Sequence, residues 1–131
     1  MQLAYVRSIL EQLCQVWHSS LTLGNFQDLE RVQKNALKII LQDEYLSYSN
    51  ALNKTGIASL FERRGELCLK FAISCLKHRE MSRMFPLNNV PTAMDTRHWN
   101  KFRVTSCRTE RLKSSAIPYL QNLLNSNSSK K

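Results

Sequence analysis

Residues 59–84, SLFERRGELCLKFAISCLKHREMSRM, are the stretch that most constrains this chain, because they read as its longest amphipathic helix. Leu60, Phe61, Leu67, Cys68, Phe71, Ala72, Cys75 and Leu76 recur at helical spacing and predict one apolar stripe. Glu62, Arg63, Glu66, Lys70, Ser74 and Lys77 fall on the other face. Ser59 followed three residues later by Glu62 is the pattern of a capping box, in which each residue satisfies a backbone N–H of the other. Gly65 inside such a helix costs about 1 kcal/mol relative to alanine, so the stripe needs a partner surface drawn from the residues before it.

Those residues supply three shorter helical patterns. In residues 3–18, Leu3, Val6, Ile9 or Leu10, Leu13 and Val16 or Trp17 fall three or four apart, which predicts a helix with one apolar face. No capping residue precedes it, so the chain is expected to begin inside an element that was once longer. Residues 26–41 predict a second helix capped by Asn25, with Phe26, Leu29, Val32, Ala36, Ile39 and Ile40 facing inward. Arg31, Lys34 and Lys38 repeat at three and four on another side as a short basic ridge, a pattern that serves equally as a solvated face or as a phosphate contact. Residues 47–56 predict a short third helix, with Ser47 at its start and Gly56 as a left-handed terminator. Short connections favour antiparallel neighbours and a bundle.

Beyond Phe85 and Pro86 the periodicity ends. Residues 86–100 carry two prolines, Pro86 and Pro91, and no period, so they read as a loop or linker. Residues 101–107 alternate in a way that allows a short extended segment, residues 108–113 are charged, and Ser114 or Ser115 opens a last short helix. That helix takes Pro118 in its first turn and Tyr119, Leu120, Leu123 and Leu124 on its apolar side. The expected class is therefore mainly α. A small bundle of three to four helices spans residues 1–85, a linker spans 86–100, a basic segment with a short helix spans 101–125, and a disordered tail spans 126–131.

Charge is placed unevenly. Residues 1–50 hold four Lys or Arg against five Asp or Glu, residues 51–100 hold eight against four, and residues 101–131 hold seven against one. The C-terminal half is where a polyanion would be met. Lys101, Arg103, Arg108, Arg111 and Lys113 cluster there, with Trp99 and Phe102 among them as candidate stacking groups. No apolar run reaches the length of a bilayer span and the N-terminus lacks a signal-peptide order, so an intracellular protein without a membrane partner is expected. Cys14, Cys68, Cys75 and Cys107 contain no close pair and read as reduced thiols, mostly buried.

Catalytic patterns are weak. Asp28, Asp43 and Asp95 are far apart, and Asp43 beside Glu44 reads as an acidic turn rather than a metal-holding pair. His78, Glu80 and His98 match a two-histidine, one-carboxylate pattern only nominally, and Cys68, Cys75 and His78 on one helix cannot enclose a zinc ion. No cofactor is expected, and no enzyme activity.

The segments Tyr5–Glu11, Val16–Thr22, Leu29–Lys34, Ala36–Ile40, Tyr45–Tyr48, Leu60–Arg64, Leu67–Phe71, Cys107–Arg111 and Ser114–Leu120, in that order and spacing, resemble the region just downstream of the palm in reverse transcriptases of non-LTR (LINE-like, jockey-type) retrotransposons. The resemblance implies a thumb and C-terminal tail that grip template and growing strand. The partners it implies are RNA template, RNA–DNA hybrid or DNA, together with the missing palm domain. The palm's aspartate pair is absent from this sequence, so the resemblance implies a non-catalytic fragment of an RNA-directed DNA polymerase. Arg63 and Arg64 then join Arg31, Lys34, Lys38, Lys101, Arg103, Arg108, Arg111 and Lys113 as candidate nucleic-acid contacts. The alternative is a helical protein-interaction module, or a segment like that found at the front of AlkB-like alkylation-repair fusions, with no activity of its own.

Overall fold

A computed structural model describes residues 2–87 and 101–128. Among these residues there are eight α-helices and no strand: α1 (Gln2–Glu11), α2 (Cys14–Trp17), α3 (Leu23–Leu41), α4 (Tyr48–Thr55), α5 (Leu60–Lys77), α6 (Arg79–Ser82), α7 (Glu110–Lys113) and α8 (Ala116–Ser128). The mainly α class is as expected, with more and shorter helices than the three to four anticipated. The chain packs as two compact units. Unit 1 comprises Met1–Cys14 and Leu21–Glu66, and unit 2 comprises Gln15–Ser20 and Leu67–Lys131. The division falls within the sequence of α5 rather than after Phe85.

In unit 1, α1 and α4 both pack on α3. The start of α3 is set by Thr22, whose hydroxyl accepts from the Asn25 N–H at 3.3 Å. Asn25 is thus a donor within the first turn, not the cap. The inner face of α3 is also rotated from expectation. Gln33 and Leu37 are buried, while Val32, Ile39 and Ile40 are exposed. Ser47 caps α4 by accepting from the Asn50 N–H, and Gly56 closes that helix in the left-handed conformation at φ 65°. The Gly56 N–H donates to Asn53 O at 3.3 Å and the Ile57 N–H to Leu52 O at 3.1 Å, the paired bonds of a Schellman turn.

The α5 capping box forms as the sequence predicts. The Ser59 N–H donates to Glu62 Oε2 and the Glu62 N–H to Ser59 Oγ, both at 3.3 Å. A tertiary cap adds to it, because the Leu60 N–H donates to Glu30 Oε1 of α3 at 3.3 Å. The Tyr48 hydroxyl donates to the same carboxylate oxygen. Gln33 Nε2 donates to Tyr48 Oη at 3.0 Å and to Ala58 O at 3.5 Å. Two polar residues of α3 therefore fasten both α4 and the start of α5. Burial, then the bond to Glu30, pushes the Tyr48 phenol pKa well above its usual value.

The buried positions of α5 are Leu60, Arg64, Cys68, Ala72 and Cys75, a stripe at steps of four and three. Phe61 and Phe71, expected inside, are exposed. The helix ends at Lys77, seven residues before the expected limit, because His78 is extended (φ −98°, ψ 123°) and starts the short α6. The helix expected over residues 3–18 is interrupted likewise, at Leu13 (φ 51°).

The core of unit 2 consists of Cys68, Ala72, Cys75, Phe85, Leu120 and Leu124, with Leu76, Met84, Phe102, Tyr119 and Leu123 packed against it. The 3-10 turn His18–Ser20 lies against α8, where His18 meets the Tyr119 ring edge to face at 5.8 Å. Pro118 sits buried in the first turn of α8, as anticipated. The helix runs to Ser128, so residues 126–128 are helical rather than a disordered tail. Residues 88–100 of the expected linker and residues 129–131 lie outside the described residues. Cys14, Cys68 and Cys75 are buried and unbridged, and burial pushes the Cys75 thiol pKa up.

Candidate nucleic-acid interface

Segment 102–113 of unit 2 carries exposed cations, and the backbone at its start is tied to α8. Asn125 acts on Phe102 like a neighbouring strand: its Oδ1 accepts from the Phe102 N–H at 2.8 Å and its Nδ2 donates to Phe102 O at 2.9 Å. One turn earlier the buried Gln121 accepts at Oε1 from the Thr105 N–H (2.7 Å) and the Thr105 hydroxyl (3.1 Å), and its Nε2 donates to Met84 O at 2.8 Å. The Arg103 N–H donates to Pro86 O at 2.7 Å, and Leu87 and Phe102 form an isolated antiparallel bridge. The extended segment expected from sequence is present as this single bridge and not as a strand.

Arg103 is thus fixed at its backbone while its side chain is exposed. Further along, Thr109 caps α7 by accepting from the Leu112 N–H at 3.2 Å, which orders the turn that carries Arg111 and Lys113. Arg108 and Arg111 are exposed, and with Arg103 they pair with no carboxylate among the described residues. Arg111 borders a groove of about 470 Å³ with Val16, Ser20, Ser115 and Ile117. Lys113 is exposed but lies 3.5 Å from Glu110, and Lys101 is half-buried. Phe102 packs against the core, so it is not a stacking group, and Trp99 lies outside the described residues.

The candidates in unit 1 are placed differently. Arg31 is paired with Asp28 of its own helix at 3.2 Å, and Lys38 Nζ stands 5.6 Å from the Tyr45 ring centroid. Lys34 is exposed. Arg63 is held between Glu11 (3.6 Å) and Glu66 (3.7 Å). Arg64 is corrected outright. It is 0% exposed, with its guanidinium carbon 5.9 Å from the Phe26 ring centroid, and so is closed to a phosphate backbone.

By sequence, unit 1 holds seven Lys or Arg against seven Asp or Glu, and unit 2 holds twelve against three, so the whole net charge of +9 lies on unit 2. That set includes exposed Lys70, Lys77 and Arg79, which sequence reasoning assigned only to a solvated face or passed over. The seven-residue spacing of Lys70 and Lys77, which puts both on one side of α5, was the available signal.

Among the described residues no three His, Cys, Asp or Glu side chains converge as a metal site. Cys68 and Cys75 are interior while His78 and Glu80 are exposed, and His98 and Asp95 lie outside the described residues. Asp43 and Glu44 occupy a 3-10 turn, where Lys54 Nζ donates to Glu44 at 2.6 Å and lowers its pKa. No described helix is long and apolar enough to cross a membrane. Comparison with family models, with curated proteins and with solved structures finds no match to this chain.

Proposed function

We propose that this chain is a non-catalytic nucleic-acid-binding module, in which unit 2 grips a phosphate backbone through Arg103, Arg108 and Arg111. The observation that carries the reading is the segregation of all nine net positive charges onto unit 2, with Arg103 exposed between two residues tied to α8 and with Arg108 and Arg111 exposed beyond them. Guanidinium groups that face water without a carboxylate are available to phosphate oxygens, and such contacts are largely independent of base sequence. The resemblance to the thumb and tail of non-LTR retrotransposon reverse transcriptases supports the same reading, with template–primer hybrid as the ligand and catalysis left to the polymerase palm.

The test is binding of RNA–DNA hybrid and of duplex DNA by the full chain, measured by fluorescence anisotropy over a salt series. Affinity is expected to fall steeply with salt for both ligands. Replacing Arg108 and Arg111 together by alanine is expected to weaken both and to lower the salt slope by about 2 units, roughly one per lost phosphate contact. A folded double variant that binds as tightly as the parent, with the same slope, would reduce the basic segment to a solvated surface.

A further inference from the structure

We infer that unit 1 carries a self-association surface on which a second copy of this chain seats. Val32, Ala36, Ile39 and Ile40 follow one another on α3 at spacings of four, three and one, the stripe by which a helix normally meets a core. Here the stripe faces water: Ile39 is 71% exposed, Val32 45% and Ile40 41%. Tyr5 of α1, also 71% exposed, stands beside it, and Tyr5, Val6, Ala36, Ile39 and Ile40 line a groove of about 390 Å³. The patch therefore presents protruding side chains and the recess next to them on one face, as a two-fold pairing of identical surfaces requires.

Charge and area select the occupant. No ionisable side chain apart from the Tyr5 phenol lines the groove, so nothing there recruits a phosphate or a charged peptide. Unit 1 as a whole has as many anions as cations, so the charges of the pairing unit itself do not oppose a second copy, and the repulsion between whole chains comes from unit 2. The outward parts of Tyr5, Val32, Ile39 and Ile40 amount to roughly 400–500 Å² per copy, which doubled approaches the ~1,000 Å² floor of specific interfaces. An interface of that size belongs with transient contacts rather than obligate ones.

Sedimentation velocity of the full chain from about 1 to 100 μM, at low and at high salt, tests this inference independently of nucleic-acid binding. A monomer–dimer equilibrium is expected whose association is unchanged or strengthened by salt, since screening relieves repulsion between two +9 chains. This is the opposite sign to the salt dependence of nucleic-acid binding. Ile39→Asp, at a position exposed enough to leave the fold intact by circular dichroism, is expected to weaken the dimer at least about tenfold by setting unpaired charge into the interface. Leu46→Asp, at an exposed residue outside the groove, is expected to leave it unchanged. A parent chain that stays monomeric across the range, a dimer that survives Ile39→Asp, one that Leu46→Asp disrupts equally, or one that salt dissociates would each overturn the inference.

Discussion

Replacing Gln121 with leucine isolates the bonds that hold the cationic segment to α8, because leucine occupies a similar volume and leaves little cavity. Three hydrogen bonds go: Nε2 to Met84 O, and the two that Oε1 receives from Thr105. A typical bond is worth about 1 kcal/mol net, and a buried group left without a partner costs about 1–3 kcal/mol. Thr105 is exposed and recovers water, whereas Gln121 at the Met84 end is 2% exposed, so the sum falls near 2–4 kcal/mol. In a chain of this size that lowers the melting temperature by roughly 10 °C, read by circular dichroism. Hydrogen exchange gives the local readout, since the Thr105 amide is protected by Gln121 and is expected to exchange freely in the variant. Affinity for RNA–DNA hybrid is expected to fall even though no cation is removed, because Arg103 lies between the two fastened residues Phe102 and Thr105. A variant whose Thr105 amide stays protected, and whose melting temperature moves by less than about 2 °C, would show that the segment is held by something other than this amide.

Gly56→Ala is expected to destabilise by about 1 kcal/mol, since a Cβ there meets no atom but the φ of 65° disfavours any side chain, whereas Gly65→Ala, in open space within α5, is expected to stabilise by roughly 0.5–1 kcal/mol; urea midpoints of the two should move in opposite directions. The raised Tyr48 pKa means that its contribution to stability is fully present below the unfolded phenol value of about 10 and is lost as pH rises above it, because the unfolded chain releases the proton first. Tyr48→Phe should therefore lessen the loss of stability as pH rises above about 10, and equal losses in variant and parent would remove Tyr48 from the alkaline transition.

Local signals in the sequence were the legible ones. The Ser59–Glu62 box, the Ser47 cap, the Gly56 terminator and Pro118 in a first turn each concern groups three or four residues apart, so their chemistry is complete within the chain segment that carries it. What decided between rival local signals came from elsewhere in the fold. Thr22 and Asn25 are both good caps three residues apart, and the helix took the earlier one, which makes the later one its donor. The apolar period of residues 3–18 runs straight through Leu13, yet the chain turns there. On unit 2, the cations of the candidate interface were visible as composition. That Gln121 and Asn125 fix the backbone on either side of Arg103 was not visible, because the partners of those amides lie 16 to 37 residues away.

Arg64, Glu30 and Gln33 account for the largest departure, since apolar periodicity assigns charged and amide residues to water and here they face inward. Arg64 takes the position four residues after Leu60, so the buried stripe of α5 passes through it and turns Phe61 outward. On α3 the inward positions are claimed by Gln33 and Glu30, whose bonds to Tyr48, Ala58 and Leu60 join three helices. At about 100° per residue, Val32 and Ile39 then lie roughly 100° and 120° round the helix axis from Gln33. They cannot share its face. An α3 that fastens its neighbours through polar groups must therefore present Val32 and Ile39 to water, and the groove beside Tyr5 follows from the inward placement of Glu30 and Gln33. The network and the exposed groove are consequently linked: a Gln33→Leu chain that rotated α3 to bury Val32 would lose the self-association surface together with the bonds to Tyr48 and Ala58, whereas one that kept its rotation would lose only those two bonds.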